Sequence, residues 1–149
     1  MVAPALLSSQ TDEWSTPQTL FDELNSTFKF TLDPCATPEN AKCAKFYTKE
    51  QDGLKQDWSG ETIWCNPPYG RHIGDWVKKC AEHWGVAVML IPARTDTRWW
   101  HEYIANNPTA NVRFIKGRLK FGGATNPAPF PSAIVILFNT TLDEWGGVN

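Results

Sequence analysis

Residues 62–69 read Thr62-Ile-Trp-Cys-Asn-Pro-Pro-Tyr69, and this stretch decides the fold. Its apolar start is typical of the end of a buried strand. The two prolines that follow cannot donate to a sheet, and each holds its φ angle at about −65°. The side-chain oxygen of Asn66 and the backbone carbonyl of Pro67 are therefore predicted to be acceptors fixed in place before a ligand arrives.

Two fixed acceptors suit chemistry on an exocyclic amine such as adenine N6. That amine is a poor nucleophile because its lone pair is delocalised into the ring, and acceptors aimed at both N–H groups concentrate the lone pair. Asn-Pro-Pro-aromatic at a strand end is the active-site signature of enzymes that methylate such nitrogens, and we expect the Tyr69 ring to stack on a flipped base. The alternative is a proline turn with a packed tyrosine.

The composition predicts one domain with a core of its own. The chain has 149 residues, of which 42% are hydrophobic, and its formal net charge is −2. A net charge of this size does not by itself indicate nucleic-acid binding. Positive charge can still be concentrated on one part of the surface. Against only Asp96 and Glu102, the stretch from 94 to 120 carries six basic residues: Arg94, Arg98, Arg113, Lys116, Arg118 and Lys120.

The cysteines and the apolar runs argue against several other classes of protein. Four irregularly spaced cysteines without a CxxC pair predict reduced thiols rather than a zinc site or a disulfide framework, and no metal site is expected. No run reaches the roughly 20 apolar residues that span a bilayer. Residues 1–7 lack the basic region of a signal peptide. We therefore expect a cytoplasmic protein without membrane contact.

Hydrophobic periodicity divides the chain into alternating elements. Residues 1–12 are predicted to be a flexible arm, and residues 13–149 a single domain. Thr16 as N-cap and Pro17 at the first helical position open a helix. Strands are predicted at 28–32, 62–65, 86–91, 112–115 and 132–138, helices at 73–84 (stopped by Gly85) and 97–106, and short elements near 44–47.

This order predicts a mostly parallel α/β sheet closed by a last, antiparallel strand. In open α/β sheets, ligands bind beyond the carboxyl ends of the strands. Asp33, Asn66 and Arg94 each follow a predicted strand at that edge. We therefore expect these three side chains to converge.

Taken together, the motifs of this chain resemble those of the phage-type (Dam-like) DNA N6-adenine methyltransferase family. The resembling segments are Trp14-Ser-Thr-Pro17, Leu32-Asp-Pro-Cys-Ala36, Asp52-Gly-Leu54, Asp57-Trp58, Trp64-Cys-Asn-Pro-Pro-Tyr69, Pro92-Ala-Arg-Thr-Asp96, Gly117-Arg-Leu-Lys-Phe121 and Pro129-Phe-Pro-Ser132. The resemblance implies a reduced class I S-adenosylmethionine-dependent methyltransferase fold, which is Rossmann-like and has a mixed sheet with its last strand antiparallel.

The resemblance also implies S-adenosylmethionine as cofactor and a set of residues that bind it. The implied set comprises Trp14, Thr16 and Pro17 at the methionine end, Asp33, Pro34, Cys35 and Ala36 in place of a glycine-rich loop, and Asp57 at the cofactor adenine. Asp33 would pair with the methionine ammonium. Asp-Pro and Asp-Trp-Ser turns are the structural alternatives for Asp33 and Asp57. The ribose carboxylate is not placed, with Glu50 and Asp52 as candidates.

The implied partner is double-stranded DNA, although 149 residues leave no room for a separate recognition domain. Base readout must then come from loops or from a second subunit, so monomer and homodimer both stay open. Arg94, Thr95, Arg118 and Lys120 are the candidate DNA contacts. A solvated face with ordinary ion pairs is the alternative for these side chains.

The expected function is site-specific methylation of a flipped adenine, and the resemblance implies GATC as the site. Asn66, Pro67, Pro68 and Tyr69 are the catalytic candidates, and catalysis would rest on positioning and electrostatics. The resemblance further implies a phage or prophage origin and protection against host restriction. RNA or a protein amide as substrate, and a non-catalytic DNA-binding relative, are the open alternatives.

Overall fold

The computed structural model describes residues 14–123 and 126–139, and the predicted arm at 1–12 lies outside them. The helices are α1 (Gln18–Phe28), α2 (Ile73–Glu82) and α3 (Arg98–Trp100), which continues as a π-helix over His101–Ala105. The strands are β1 (Leu32–Asp33), β2 (Lys45–Phe46), β3 (Ile63–Cys65), β4 (Gly85–Pro92), β5 (Ala110–Phe114) and β6 (Ser132–Asn139). No helix of these residues is long and apolar enough to cross a membrane.

The six described strands form one mixed sheet in the order β2-β1-β3-β4-β6-β5. Strands β1 to β4 run parallel to one another. Strand β6 is antiparallel to both of its neighbours, β4 and β5. The predicted fold class is confirmed: a reduced, Rossmann-like α/β fold with a mixed sheet whose last strand is antiparallel.

Strand β4 is the centre of the core. Its register with β6 runs from Gly85 opposite Asn139 to Pro92 opposite Ser132. Every side chain of β4 after Gly85 is buried, and because neighbouring side chains point to opposite faces, both faces of the sheet are covered. Each fully buried aliphatic side chain contributes about 1.5–3 kcal/mol to stability. This burial fixes the strand end from which the Arg94 loop departs.

The predicted strand at 28–32 is wrong for most of its length. Phe28 is the last residue of α1, and Lys29 ends the helix in the left-handed conformation, with φ 56°. The Phe30 N–H then donates to the Asn25 side-chain oxygen at 2.8 Å instead of to a strand. The Phe30 ring packs on Trp64, with ring centroids 5.5 Å apart. Only Leu32–Asp33 joins the sheet.

Smaller differences concern the ends of the helices. The cap of α1 is Pro17 rather than Thr16, so the helix begins one residue later than predicted. Helix α2 ends at Glu82, and Gly85 opens β4 instead of stopping the helix. Thr97, the predicted first residue of the next helix, is its N-cap instead, and its hydroxyl accepts from the Trp100 N–H at 3.3 Å.

Candidate active site

A cavity of about 900 Å³ lies at the carboxyl ends of β1 and β3. Asp33 ends β1, and Asn66 directly follows β3, so the parallel strands bring the two side chains to the same edge. Of the residues predicted from the sequence, ten line the cavity: Trp14, Thr16, Asp33, Pro34, Cys35, Ala36, Asp52, Asn66, Pro67 and Pro68. The convergence of Asp33 and Asn66 is thus as expected.

The Asn66 amide is held in one orientation. Its Nδ2 donates to the Trp14 carbonyl and, at 2.9 Å, to the Thr16 hydroxyl. A carbonyl can only accept, so the NH₂ group must face Trp14 and the amide oxygen must face the other way. That oxygen accepts from the Tyr69 hydroxyl at 2.8 Å. The N-terminal segment therefore sets the direction of the Asn66 acceptor.

Tyr69 is placed differently from the stacking position expected of it. Its side chain is 3% exposed and is not part of the cavity wall. Its hydroxyl lies 2.9 Å from the Leu90 carbonyl as well as within reach of Asn66, so its single proton has two acceptors. Burial raises the pKa of the phenol, which keeps it a neutral donor. A base reaches the ring face only if the neighbouring rings move apart.

Those neighbouring rings form a cluster of four aromatic side chains. Tyr69 meets Phe130 at 5.6 Å and Phe121 at 6.2 Å, with both pairs edge to face. Trp14 contacts the same two phenylalanines at 5.2 and 5.3 Å. The Gly122 N–H also donates to the Ser15 carbonyl at 2.9 Å. The cluster thus joins the N-terminal segment, the Asn-Pro-Pro-Tyr motif and the 121–130 region.

Asp33 is a buried carboxyl group on the cavity wall. It is 3% exposed, and burial raises its pKa from 3.8 to about 6. Backbone N–H groups of Lys42 at 2.9 Å and Cys35 at 3.5 Å donate to its two oxygens and limit the rise. A cationic ligand beside this group would lower its pKa again. The site is therefore suited to an ammonium.

The segment 49–56 forms another part of the wall and is tightly anchored. Gly53 is packed against the loop after β1 so closely that a Cβ would lie 2.0 Å from the Pro34 carbonyl oxygen. The Trp58 indole N–H donates to the Gly53 carbonyl at 2.9 Å. The Lys79 ammonium donates to the carbonyls of Leu54 and Gln56 at 2.8 and 2.7 Å. These contacts give Gly53 and Trp58 of the resembling segments a structural role.

Asp52 and Asp57 end up in different places. Asp52 adopts φ 52° and lines the cavity, whereas Glu50, the other ribose candidate, is exposed and is not part of the wall. Asp57 lines a separate cavity of about 240 Å³. Its carboxylate accepts from the Ser59 N–H at 2.9 Å and hydroxyl at 2.5 Å, and these bonds lower its pKa. The structure thus corrects the expected position of Asp57 and matches the turn alternative.

Pro17 and the four candidate DNA contacts lie outside the cavity wall. Pro17 caps α1. Arg94 is half-buried, and its Nη2 donates to the Tyr69 carbonyl at 3.2 Å, so it braces the motif. The remaining three candidates are exposed: Thr95, Arg118 and Lys120.

Several wall residues were not predicted from the sequence. Trp64 and Trp76 are buried in elements where apolar periodicity indicates core packing, so their contact with the cavity has no separate signal. The other unpredicted residues come mostly from the polar stretch after β1 and the turn after the motif: Thr37, Asn40, Lys42, Thr48, Lys49, Arg71 and His72. Polar residues in a loop indicate a turn as readily as a site.

Two known proteins are similar to this chain in sequence. DNA N-6-adenine-methyltransferase of Escherichia phage T1 is 37% identical over 113 residues, which cover 72% of this chain and 46% of that protein. This chain thus spans less than half the length of the phage relative. YfdM of Escherichia coli strain K12, a candidate methyltransferase, is 40% identical over 65 residues, or 39% of this chain and 71% of YfdM.

A solved structure and a family model complete the comparison. A candidate RNA methyltransferase from Pyrococcus horikoshii aligns with 85% of this chain and 61% of its own, at 15% identity and a TM-score of 0.45. The model of the family described as DNA N-6-adenine-methyltransferase (Dam) matches residues 4–142. The chain belongs to the Dam family of DNA N-6-adenine-methyltransferases.

Proposed function

We propose that this protein transfers a methyl group from S-adenosylmethionine to the N6 amine of a flipped adenine in duplex DNA. The observation that carries the proposal is the fixed Asn66 amide, whose oxygen is oriented by the Trp14 carbonyl and the Thr16 hydroxyl at the edge of a 900 Å³ cavity. Family membership supports the same chemistry. As the match covers less than half of the phage relative, the activity of the whole protein is part of the proposal.

The cavity wall fits S-adenosylmethionine, which supplies an electrophilic methyl group on a sulfonium. Asp33 would pair with its ammonium, since a buried carboxylate gains most from a cationic partner. Asp52 would accept from a ribose hydroxyl. The Trp76 indole, which is 7% exposed, would offer apolar surface to the cofactor, whereas the Trp64 ring is fully buried against Phe21 and Phe30. Asp57 has no part in this arrangement, because its carboxylate serves the Ser59 turn of a separate cavity.

The protein groups at the substrate amine would act by orientation. The Asn66 oxygen and the Pro67 carbonyl accept from the two N–H groups of adenine N6. The Tyr69 hydroxyl can donate its hydrogen bond to the Leu90 carbonyl, 2.9 Å away, instead of to Asn66. This change of acceptor frees a lone pair on the Asn66 amide oxygen for the substrate. After transfer the amine is cationic and acidic enough to lose its proton to water, so no basic side chain is required. Catalysis then rests on positioning and electrostatics.

Stacking of the base on Tyr69 requires an opening of the aromatic cluster. Phe121 and Phe130 cover the ring in the closed arrangement. The inserted base would make contacts with the Tyr69 ring in place of those of the two phenylalanines. These contacts would partly offset the free-energy cost of unstacking the base from the DNA. The target implied by the family resemblance is GATC, and a phage or prophage origin with protection against restriction in the cytoplasm of a bacterial host is the biological setting we propose.

The deciding experiment is transfer of labelled methyl from S-adenosylmethionine to unmethylated duplex DNA, followed by nucleoside analysis. Asn66→Ala is measured alongside. We expect label in N6-methyladenine with the wild type and at least a hundredfold less with the variant, since a lost positioned group typically costs that much. The variant should still bind cofactor.

Three other results would contradict the proposal or its mechanism. Cofactor binding without label in DNA would redirect the search to RNA or to a protein amide. Neither label nor cofactor binding would indicate a non-catalytic DNA-binding relative. A fully active Asn66→Ala variant would refute the assigned mechanism.

A further inference from the structure

Phe114 is exposed in a way that packing does not explain. Among the described residues, it and Trp84 are the large hydrophobic side chains that remain exposed, at 65% and 59%. The Phe114 ring stacks on the buried Trp100, with centroids 6.3 Å apart and planes 23° from parallel. Its position is therefore fixed from below while its outer face meets solvent. A rigid, supported aromatic ring at the surface is suited to contact with a partner.

The Phe114 ring lies at the end of the sheet where the parallel strands have their carboxyl ends, and the active site lies at the same end. Phe114 pairs with Ala133 in β6, and Ala133 pairs with Ile91 near the carboxyl end of β4. Asp33 and Asn66 lie at the carboxyl ends of strands parallel to β4. Trp84 precedes Gly85 and so lies at the opposite edge. Of the two exposed aromatic side chains, Phe114 therefore lies at the active-site end of the sheet and Trp84 at the opposite end.

The chain around Phe114 is basic. Between 110 and 123 there is no Asp or Glu. Within the described part of the molecule, the cations of this stretch make no ion pair, and all are exposed: Arg113, Lys116, Arg118 and Lys120. The stretch is anchored where the Ile115 N–H donates to the Ser132 carbonyl at 3.0 Å and the Ala128 N–H to the Leu119 carbonyl at 2.8 Å. Positive charge is therefore presented on a fixed backbone.

We propose that Phe114 and the cations from Arg113 to Lys120 form the surface on which duplex DNA docks beside the flipped adenine. The cations would bind phosphates and set the register of the duplex. The ring would contact a sugar or an opened base step in the groove, as apolar side chains do where DNA is distorted. This inference rests on the proposed DNA substrate and adds the surface that holds it.

A second copy of this chain is the competing occupant, because β5 is an edge strand of the sheet. Edge strands invite pairing with another chain. Self-pairing of β5 would use the backbone groups of Ala110–Phe114 and would leave the cations that follow this strand without an opposite charge. A polyanion supplies an opposite charge at each phosphate. The charge therefore favours DNA.

The test measures the dissociation constant of a short fluorescent duplex containing one GATC at several salt concentrations. For Phe114→Ala we expect an increase of about tenfold, in the range seen when a stacking aromatic is removed, with the salt dependence unchanged. Lys116→Gln should instead reduce the slope of log Kd against log salt by about 1. Phe114→Tyr should bind like the wild type. Trp84→Ala, which removes an equally exposed ring at the other edge, is the matched control.

Each outcome separates this surface from the proposed activity. Equal binding by Phe114→Ala and the wild type, with methylation of DNA intact, would overturn the surface alone. A wild type that neither binds nor methylates duplex DNA would overturn both proposals. A wild-type dimer that dissociates on Phe114→Ala substitution, without a change in DNA affinity, would assign the ring to a second copy. Thermal unfolding of each variant excludes loss of the fold as the cause.

Discussion

Thr16 determines how Asn66 presents its acceptor, although it lies 50 positions earlier in the chain. Thr16→Val keeps the shape of the side chain but removes the acceptor of the Asn66 N–H, so we expect kcat to fall about tenfold. Thr16→Ser keeps the hydroxyl and should retain most of the activity. Single-turnover methylation of duplex DNA by the two variants measures the difference. Equal losses in both would assign the effect to the packing of the methyl group.

Asp33 opposes folding and supports binding. Its pKa rises from 3.8 to about 6, so the native state takes up a proton between these values, and above pH 6 the buried charge costs up to about 3 kcal/mol. We expect Asp33→Asn to stabilise the protein by about 1–2 kcal/mol at pH 8, after the loss of one hydrogen bond. At pH 4 the gain should vanish. Urea unfolding at both pH values measures it.

The same variant tests the binding role of Asp33. Asn cannot pair with an ammonium, so S-adenosylmethionine affinity should fall at least tenfold by calorimetry at pH 8. Wild-type affinity should itself fall as the pH drops through about 6, where the carboxylate takes up its proton. Unchanged affinity in Asp33→Asn would remove Asp33 from the cofactor site.

Sequence reasoning succeeded at single residues when the chemistry was carried by one short motif. Asn66 and Asp33 follow strands whose apolar runs are visible in the sequence, so their common edge could be predicted. The partner of the Asn66 amide could not, because the Trp14 carbonyl is a backbone group 52 positions away. Asp52 and Asp57 both lie in polar turns, and only their packing separates the wall residue from the turn residue.

At the scale of elements, the close contact of the 49–56 segment with the loop after β1 depends on Gly53. Its backbone angle is ordinary, but an added Cβ would lie 2.0 Å from the Pro34 carbonyl oxygen. We expect Gly53→Ala to lower the free energy of unfolding by about 1–3 kcal/mol, as for overpacking, and to weaken cofactor binding. Urea unfolding and calorimetry measure the two effects.

Gly60 is the matched control for that steric argument. A Cβ at Gly60 meets nothing within 4 Å, but its φ of +77° disfavours any other residue. Gly60→Ala should therefore cost about 1 kcal/mol of stability through conformation alone and leave cofactor binding intact. If both variants lost cofactor affinity equally, the close approach at Gly53 would not be the cause.

Element boundaries follow tertiary packing, and the sequence carries little of that information. The stretch 28–32 alternates like a strand, but Phe28 completes the buried face of α1, and Phe30 packs on Trp64. The full-length strands β4 and β6 were predicted to within a residue or so, because continuous apolar runs report burial directly. Short strands such as Leu32–Asp33 owe their existence to neighbours.

For the molecule as a whole, the four cysteines differ in how far they are buried in the fold. Cys65 and Cys80 are fully buried, and burial raises the pKa of Cys65. Burial also raises the pKa of the half-buried Cys43 to about 12. Cys35 lines the cavity. We therefore expect a thiol reagent to modify Cys35 first and to reach Cys65 and Cys80 only on global unfolding, because thiolates are the reactive species.

Mass spectrometry of the labelled peptides over time checks this order. S-adenosylmethionine at saturating concentration should slow the modification of Cys35. The same concentration of methionine, which lacks the adenosyl group, should protect Cys35 less. Rapid labelling of Cys65 under native conditions would show that the sheet opens locally around β3. Such a result would contradict the expectation that Cys65 and Cys80 become accessible only on global unfolding.

The sheet order has a consequence for synthesis of the chain on the ribosome. Strand β6 lies between β4 and β5 but is made after both of them. Until Ser132–Asn139 emerges, the apolar β4 presents an unpaired edge, and at about 5–20 residues per second this interval lasts seconds. Stalled nascent chains that end before β6 should therefore be substrates of chaperones, and the sheet acquires its central strand pair only after Asn139 has emerged from the ribosome.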